Sequence, residues 1–308
     1  MPELRPDQAR RTHDTFRGAR PLSAVRPARS LRPVRSVLSL LAFLASLALL
    51  VVLPGPAGAA TPDTARGKPP THPERHWLGS TLRSHEKPAA PDGPGPIPPL
   101  AAVEGVDVSS HNGNVAWSTL WDSGVRFAYS KATEGTSYTN PYFAQQYNGS
   151  YNVGMIRGAY HFAQPASSSG AAQADFFASH GGGWSRDGKT LPGVLDLEWN
   201  PDGADCYGMS ASQLVGWAKD FFTTYRARTG RDAVLYTSTT WWKQCTGDYA
   251  GFGAVNPLWI PRYGASAGEL PAGWGFHTIW QYTDTGPVVG DHNRFNGTYS
   301  RLQALANG

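Results

Sequence analysis

The chain has 308 residues, with 27 Lys and Arg against 23 Asp and Glu and a formal net charge of +4. The basic excess belongs to residues 1–60, which contain nine Arg and three acidic residues, so the remainder carries 18 basic and 20 acidic side chains and a net charge of −2. No run of basic residues interleaved with aromatic residues follows residue 60. These features exclude a nucleic-acid-binding protein.

The first 60 residues have the layout of a secretory signal. An Arg-rich region precedes an almost wholly apolar run at 37–53, and small residues follow it up to Ala59 and Ala60. This layout predicts a signal peptide over residues 1–60, and hence a secreted, extracellular protein with no stable membrane association after cleavage. Because the apolar run approaches the length that spans a bilayer, an uncleaved anchor is the alternative.

Residues 61–103 are rich in Pro and charged residues and poor in large apolar ones. Such a segment buries too little apolar surface to fold, so we predict a semi-extended linker. Residues 104–308 suffice for one domain with a full core, which we expect to be monomeric. Cys206 and Cys245 are the two cysteines of a protein predicted to be exported, which indicates one disulfide between them. A metal site is disfavoured, because the two lie far apart in sequence and no His is near them.

Short β-type runs and helix-like stretches alternate through residues 104–308. The predicted strands are Val106–Ser109, Phe127–Ala132, Met155–Phe162, Val194–Glu198, Ala233–Thr237, Pro257–Arg262, His277–Tyr282 and Val288–Asn293, and the predicted helices are Asn140–Val153, Ser167–His180 and Ser210–Thr229. Ser210 and Gln213 form a capping box for the third helix, and Gly230 ends it. The alternation predicts an α/β fold, an irregular TIM-like barrel with five β/α units followed by additional strands.

Two carboxylates end the fourth predicted strand. Because residues i and i+2 of a strand point to the same face, Asp196 and Glu198 are expected side by side, about 6–7 Å apart. Like charges that close raise the pKa of one partner, and a proton donor beside an anion is what cleavage of a glycosidic bond requires. The alternative is a strand end carrying two solvated acids.

Other polar and aromatic residues also fall at or near predicted strand ends. They are Asp107, Glu134, Tyr160, His161, Tyr236, Arg262, Tyr263, Gln281, Tyr282 and Asp291. Each has a structural alternative: Asp107 as a loop cap, His161 as a core histidine and Asp291 in an Asx-turn. In a parallel barrel, however, strand ends share one rim, and the active site lies there.

The aromatic content indicates a carbohydrate ligand. All 11 Trp lie after residue 60, and flat aromatic faces stack on sugar rings. Trp217 lies on the apolar stripe of a predicted helix and is assigned to the core. Trp199, Trp259 and Trp280 are the better candidates for a substrate cleft.

Several motifs resemble one family, the glycoside hydrolase family 25 lysozymes, or Ch-type N-acetylmuramidases. They are Gly105–Gly113 with Trp117, Tyr129–Gly135, Gly158–Phe162, Asp196–Glu198, Trp259–Tyr263, Trp280–Tyr282 and Gly290–Gly297, in the family's order over residues 104–308. The resemblance implies an irregular β/α barrel that hydrolyses the β-1,4 bond from N-acetylmuramic acid to N-acetylglucosamine in peptidoglycan. It also implies that Glu198 is the general acid and that Asp196, Asp107 and Asp291 are the other acids of the cleft.

A mechanism consistent with both arguments has protonated Glu198 as general acid and base. Asp196 assists attack by the 2-acetamido group of the substrate, which gives retention without a covalent enzyme adduct. The expected substrate-binding residues are Tyr160, His161, Tyr263, Tyr282, Trp199 and Trp280. The expected partner is the peptidoglycan glycan strand, and no metal or cofactor is required. Two alternatives are a chitinase-like hydrolase of N-acetylglucosamine polymers and a non-catalytic wall-binding module.

Overall fold

The computed structural model describes residues 70–86 and 102–308. The predicted signal peptide at 1–60, with its apolar run, lies outside these residues. In the described ranges, none of the helices is both long enough and apolar enough to cross a membrane.

Nine strands form one sheet, and eight of them close into a barrel. They are β1 (Val103–Val108), β2 (Phe127–Glu134), β3 (Tyr138–Thr139), β4 (Ile156–Phe162), β5 (Val194–Asp196), β6 (Val234–Tyr236), β7 (Leu258–Pro261), β8 (Ile279–Thr283) and β9 (Asp291–Phe295). The order around the barrel is β1-β9-β8-β7-β6-β5-β4-β2, closed by the parallel β1–β2 pair, while β3 extends antiparallel from β2. Strand β9 runs antiparallel to both of its neighbours.

Five of the seven described α-helices follow the first five parallel strands. The seven are α1 (Leu82–His85), α2 (Trp117–Asp122), α3 (Phe143–Asn152), α4 (Gly170–Ser179), α5 (Ala211–Thr229), α6 (Thr239–Thr246) and α7 (Tyr299–Asn307). Helix α1 precedes β1, and α7 follows β9. Helices α2 to α6 each follow a barrel strand, whereas β7, β8 and β9 have no helix between them, which confirms the predicted irregular barrel. Helix α5 has the predicted Ser210–Gln213 capping box and ends at Gly230 in the left-handed conformation.

Strand alternation separates two apolar layers. Inside the barrel pack Phe127, Tyr129, Tyr160, Val194, Val234, Tyr236, Trp259 and Ile279, whereas Leu195 and Leu235 pack outward against Phe177, Phe221 and Trp241 of the helices. Because Val194 points inward and side chains alternate with period two, Asp196 also points into the barrel at the end of β5. The apolar filling of the lower barrel therefore leaves its polar residues at the carboxyl-terminal rim.

Residues 70–86, which we call the strap, lie inside the range predicted as a linker but are not an extended spacer. They contain a 3-10 turn at Pro73–Arg75 and the short helix α1. Leu78 is fully buried and joins the apolar cluster inside the barrel. The composition of this segment, with few large apolar residues, did not indicate that it would pack on the barrel. Its packing depends on the position of one leucine and of the backbone polar groups around it, which composition does not show.

The predicted disulfide is present. Cys206, in the loop after β5, is bonded to Cys245 of α6, with a sequence separation of 39 residues and a Cα–Cα distance of 5.3 Å. Because the disulfide lowers the conformational entropy of the unfolded chain, replacing both cysteines by Ala should lower the free energy of unfolding by about 2–4 kcal/mol. Denaturant unfolding of the double variant measures this; an unchanged midpoint would contradict it.

Candidate active site

The rim of the barrel brings together four acidic side chains. Asp107 is near the end of β1, Asp196 ends β5, and Glu198 follows two residues later. Asp291 begins β9, but because β9 is antiparallel its first residue pairs with Asp107 at the same rim. All four carboxyl groups are buried, with exposed fractions of 9% or less.

Two amide side chains hold Asp107 and Asp291 in place. Gln281 Nε2 lies 3.1 Å from Asp107 Oδ2 and 3.2 Å from Asp291 Oδ2, and Asn293 Nδ2 donates to Asp107 Oδ2 at 2.7 Å. The amide oxygens are oriented in turn, since Tyr236 OH donates to Gln281 Oε1 at 2.8 Å and Trp259 Nε1 donates to Asn293 Oδ1 at 2.9 Å. The carboxyl groups of Asp107 and Asp291 are therefore positioned by a hydrogen-bond network that begins inside the barrel.

Burial controls the protonation of this pair. It raises the pKa of Asp107 to about 7, against the hydrogen bonds from Asn293 and Gln281 that favour the ionised form. Burial, together with the charge of Asp107, raises the pKa of Asp291 well above its ordinary value. At neutral pH the cluster therefore retains protons that isolated carboxylates would have lost.

Asp196 is unusual because neither of its carboxyl oxygens has a hydrogen-bond partner among the described residues, although both are buried. Burial and then the nearby charge of Glu198 raise its pKa well above the ordinary value. A buried carboxyl group without a donor is costly in free energy. A site that keeps one is prepared to accept a hydrogen bond from a ligand.

Glu198 is bonded by the strap. Its Oε1 accepts from the Gly79 N–H at 2.7 Å, and its Oε2 accepts from Thr81 Oγ1 at 2.5 Å. Burial raises its pKa to about 7, although these two hydrogen bonds favour the ionised form. A carboxyl group with this pKa can donate and recover a proton near neutral pH.

A buried ion pair lies on the β2 side of the rim. Lys131 Nζ donates to Glu134 Oε2 at 2.6 Å, and His76 Nδ1 lies 2.7 Å from Glu134 Oε1. A bulge between Lys131 and Thr133 shifts the register of β2 against β4 there. Burial would raise the pKa of Glu134, but the neighbouring Lys131 and His76 outweigh it and lower that pKa.

Comparison with known proteins agrees with this geometry. Residues 106–291 match the model of the glycosyl hydrolases family 25. The chain belongs to this family. It is 53% identical over 212 residues to Lysozyme M1 of Streptomyces globisporus, covering 67% of this chain and 72% of that protein. It is 48% identical over 210 residues to the N,O-diacetylmuramidase of a Chalaropsis species, covering 67% of this chain and all of that protein.

The fold agrees as well. A muramidase structure from Acremonium alcalophilum superposes with a TM-score of 0.66 at 56% identity, covering 67% of this chain and 99% of that one. The range of the family begins at Val106, so the strap lies before it.

Three of the predicted substrate-binding residues lie at the carboxyl-terminal rim of the barrel. Tyr160 points into the barrel, and its OH accepts from the Leu78 N–H at 3.3 Å. Tyr263 is partly buried, with its OH 3.4 Å from Gln281 Oε1. Trp199 is stacked under His85 of the strap, with ring centroids 4.6 Å apart.

The other three predicted substrate-binding residues face away from the rim. His161 lies between the barrel and the helices, bonded to Thr133 Oγ1 at 2.7 Å and to Gln173 Oε1 at 2.9 Å, so it is a core histidine. Trp280 and Tyr282 flank the inward-pointing Gln281 and therefore point outward. Trp280 Nε1 donates to the Arg262 carbonyl at 2.8 Å, and Tyr282 OH donates to Glu104 Oε2 at 2.9 Å.

Other residues that build the site were not selected from the sequence. Gln281, Tyr236 and Glu134 were recognised only as strand-end residues, and Asn293 and Lys131 were not singled out. Trp259, proposed for the cleft, is fully buried and orients Asn293 instead. The period-two relation from Asp291 to Asn293 is the signal that could have identified Asn293.

The acid cluster predicts a pH dependence of stability. A carboxyl group whose pKa is higher in the folded than in the unfolded state stabilises the fold fully below the unfolded value, 3.8 for Asp291, and loses that contribution as pH rises through the folded value. The melting temperature should therefore fall as the pH rises from 4.5, the ordinary pKa of Glu198, through about 7, the folded pKa of Asp107 and Glu198. Asp291→Asn should reduce this fall, because it removes one buried charge. Equal falls in thermal melts of both proteins would contradict this.

Proposed function

We propose that this protein is a secreted lysozyme that hydrolyses the β-1,4 bond between N-acetylmuramic acid and N-acetylglucosamine in peptidoglycan. The observation that carries the proposal is the placement of Glu198 and Asp196 together at the carboxyl-terminal rim of the barrel, where the Asp196 oxygens have no donor among the described residues. Relatives at 53% and 48% identity are named a lysozyme and an N,O-diacetylmuramidase.

In the first step Glu198 donates its proton to the glycosidic oxygen as the bond from that oxygen to the anomeric carbon breaks. The carbonyl oxygen of the 2-acetamido group forms a new bond to the same carbon, giving a cyclic oxazolinium ion. In the second step water attacks the anomeric carbon, Glu198 takes the proton of that water, and the ring reopens. Glu198 thus ends in its starting state.

Asp196 supplies the hydrogen-bond acceptor for this chemistry. The acetamido N–H becomes more acidic as its carbonyl oxygen attacks and positive charge develops on the group. In the free enzyme, burial disfavours the charged form of Asp196 and so raises its pKa. In the transition state the positive charge of the acetamido group offsets this cost, so the carboxylate is stabilised more there than in the free enzyme. The unpartnered oxygens of Asp196 support this role.

The remaining residues of the rim bind and orient. Asp107 and Asp291, fixed by Gln281 and Asn293, are suited to accept hydrogen bonds from sugar hydroxyls. Trp199 offers a flat face for a sugar ring, a contact now made by His85. No step in this scheme requires a metal or a cofactor.

Mass spectrometry of the soluble fragments from purified peptidoglycan tests the function. New reducing ends on N-acetylmuramic acid are expected. Reducing ends on N-acetylglucosamine, or release from chitin with no release from peptidoglycan, would favour the chitinase-like alternative. Binding to peptidoglycan without any new reducing end would favour a wall-binding module.

A further inference from the structure

We propose that the strap, residues 70–86, is an autoinhibitory segment that occupies the substrate groove and must leave it before a glycan strand can bind. The inference rests on the proposed function of this groove. The strap precedes the range matched by the family, which begins at residue 106.

The strap occupies the groups that the proposed reaction needs. Gly79 N–H and Thr81 Oγ1 both donate to the Glu198 carboxyl group, at 2.7 and 2.5 Å. Two donors stabilise the ionised carboxylate, whereas a general acid has to be protonated. The carbonyl of Leu78 accepts from Gln281 Nε2 at 3.0 Å, the same amide that lies against Asp107 and Asp291. No glycosidic oxygen can approach Glu198 while these contacts persist.

The centre of the strap is inserted into the barrel mouth. Leu78 is fully buried within the interior cluster. Gly79 has a φ of +85°, and a Cβ atom there would lie 2.6 Å from Gln281 Oε1 and 2.7 Å from Tyr236 OH. Only glycine satisfies both the backbone conformation and this close approach. The packing of the strap in the barrel mouth therefore depends on Gly79, which is not a barrel residue.

Both ends of the strap are anchored on the walls of the groove. At one end, His76 bonds to Glu134 Oε1 at 2.7 Å, and its carbonyl accepts from Lys131 Nζ at 2.5 Å. At the other end, Arg83 makes a two-point ion pair with Asp284, and His85 stacks on Trp199. These contacts span the mouth from the β2 side to the loop after β8.

Covalent attachment of the strap to the barrel domain strengthens its competition with substrate for the groove. A segment tethered through residues 87–101 has an effective concentration far above that of soluble substrate, so a few polar contacts and one buried leucine suffice to keep the groove filled. Cleavage of that tether would make the strap a dissociable peptide. The intact chain is therefore a low-activity form, and separation of the strap activates it.

Gly79→Leu in the full chain tests the inference, because it expels the strap and leaves every barrel residue unchanged. The matched control is Arg75→Ala, a strap side chain that is 71% exposed and is paired, among the described residues, only with Glu74. We expect Gly79→Leu to solubilise peptidoglycan at least about tenfold faster than the wild type, which corresponds to an open fraction below a tenth in the wild type. Arg75→Ala should match the wild type.

Hydrogen–deuterium exchange of residues 70–86 supplies a readout that does not depend on activity. The strap amides should be protected in the wild type and in Arg75→Ala and unprotected in Gly79→Leu. Rapid exchange of the wild-type strap, or equal rates of digestion with a protected wild-type strap, would overturn the inference. A synthetic peptide of residues 70–86 should inhibit Gly79→Leu competitively.

Failure of the proposed function has a different pattern. If Gly79→Leu loses strap protection but releases no fragments from peptidoglycan, the assigned activity is wrong. Titration with soluble peptidoglycan glycan strands then decides the inference. Binding at least about tenfold tighter to Gly79→Leu than to the wild type supports occlusion of the groove, and equal binding, including binding to neither, rejects it.

Discussion

Replacing Glu198 by Gln should lower the rate of peptidoglycan hydrolysis about 10²- to 10⁴-fold, the range typical of a general acid–base group. The amide has nearly the same shape but carries no proton that it can transfer to the leaving oxygen. The variant is best made in the Gly79→Leu background, since Glu198 also holds the strap through Gly79 and Thr81. The rate of appearance of new reducing ends measures the effect.

Glu104→Gln is the matched control for Glu198→Gln. Glu104 is paired with Arg294 and Tyr282 on the outer side of the barrel, away from the acid cluster. The control should hydrolyse at the parental rate, while the Glu198 variant keeps its affinity for glycan strands. Undiminished hydrolysis by the Glu198 variant would reject its assignment as the acid.

Replacing Asp196 by Asn should lower kcat about 10²- to 10³-fold, as removal of one group that stabilises transition-state charge does elsewhere. The expected loss is in kcat more than in KM, because the acetamido group gains its positive charge only as it attacks. Asp175→Asn, at an exposed carboxyl group paired with Arg228, is the matched control. Steady-state kinetics on soluble glycan strands separates the two parameters.

A substrate modification makes the test of Asp196 more specific. A glycan whose 2-acetamido group cannot attack should react slowly with the parental enzyme, and Asp196→Asn should slow it little further, since both changes remove the same interaction. Independent, multiplicative losses would show that Asp196 acts on something other than the acetamido group.

Much of the barrel could be predicted from the sequence because its strands are short, apolar and separated by clear turn and cap signals. Each of the eight predicted strands corresponds to a strand of the barrel, although the last begins at Asp291 and not at Val288. Helix α5 was predicted nearly to the residue, because Ser210 and Gly230 define its two ends. Helices α2, α6 and α7 are short and carry weaker signals.

The site was harder to predict because strands buried on both faces do not reveal which face points inward. In β8, Trp280 and Tyr282 have the residue types expected of a sugar-binding cleft, yet Gln281 is the inward residue. A shift of one residue exchanges every side chain between the barrel interior and the helix layer. For β5 the inward face was indicated by Asp196, the last residue of the strand, and by Glu198, two residues beyond it.

The strap could not be predicted from local sequence at all. Its place in the groove depends on Leu78 entering a cavity formed by distant strands and on Gly79 fitting between Gln281 and Tyr236. Neither residue belongs to a periodic pattern. Contacts of this kind become visible only when the barrel is present to receive them.

The anomeric configuration of the first product tests the central claim, that Glu198 assists two successive displacements at the anomeric carbon. Proton NMR should follow the newly released N-acetylmuramic acid reducing ends during the first turnovers of the Gly79→Leu enzyme, before mutarotation. We predict that the β-anomer appears first, because two displacements at the anomeric carbon retain its configuration. Initial release of the α-anomer would show a single displacement by water and would contradict the mechanism.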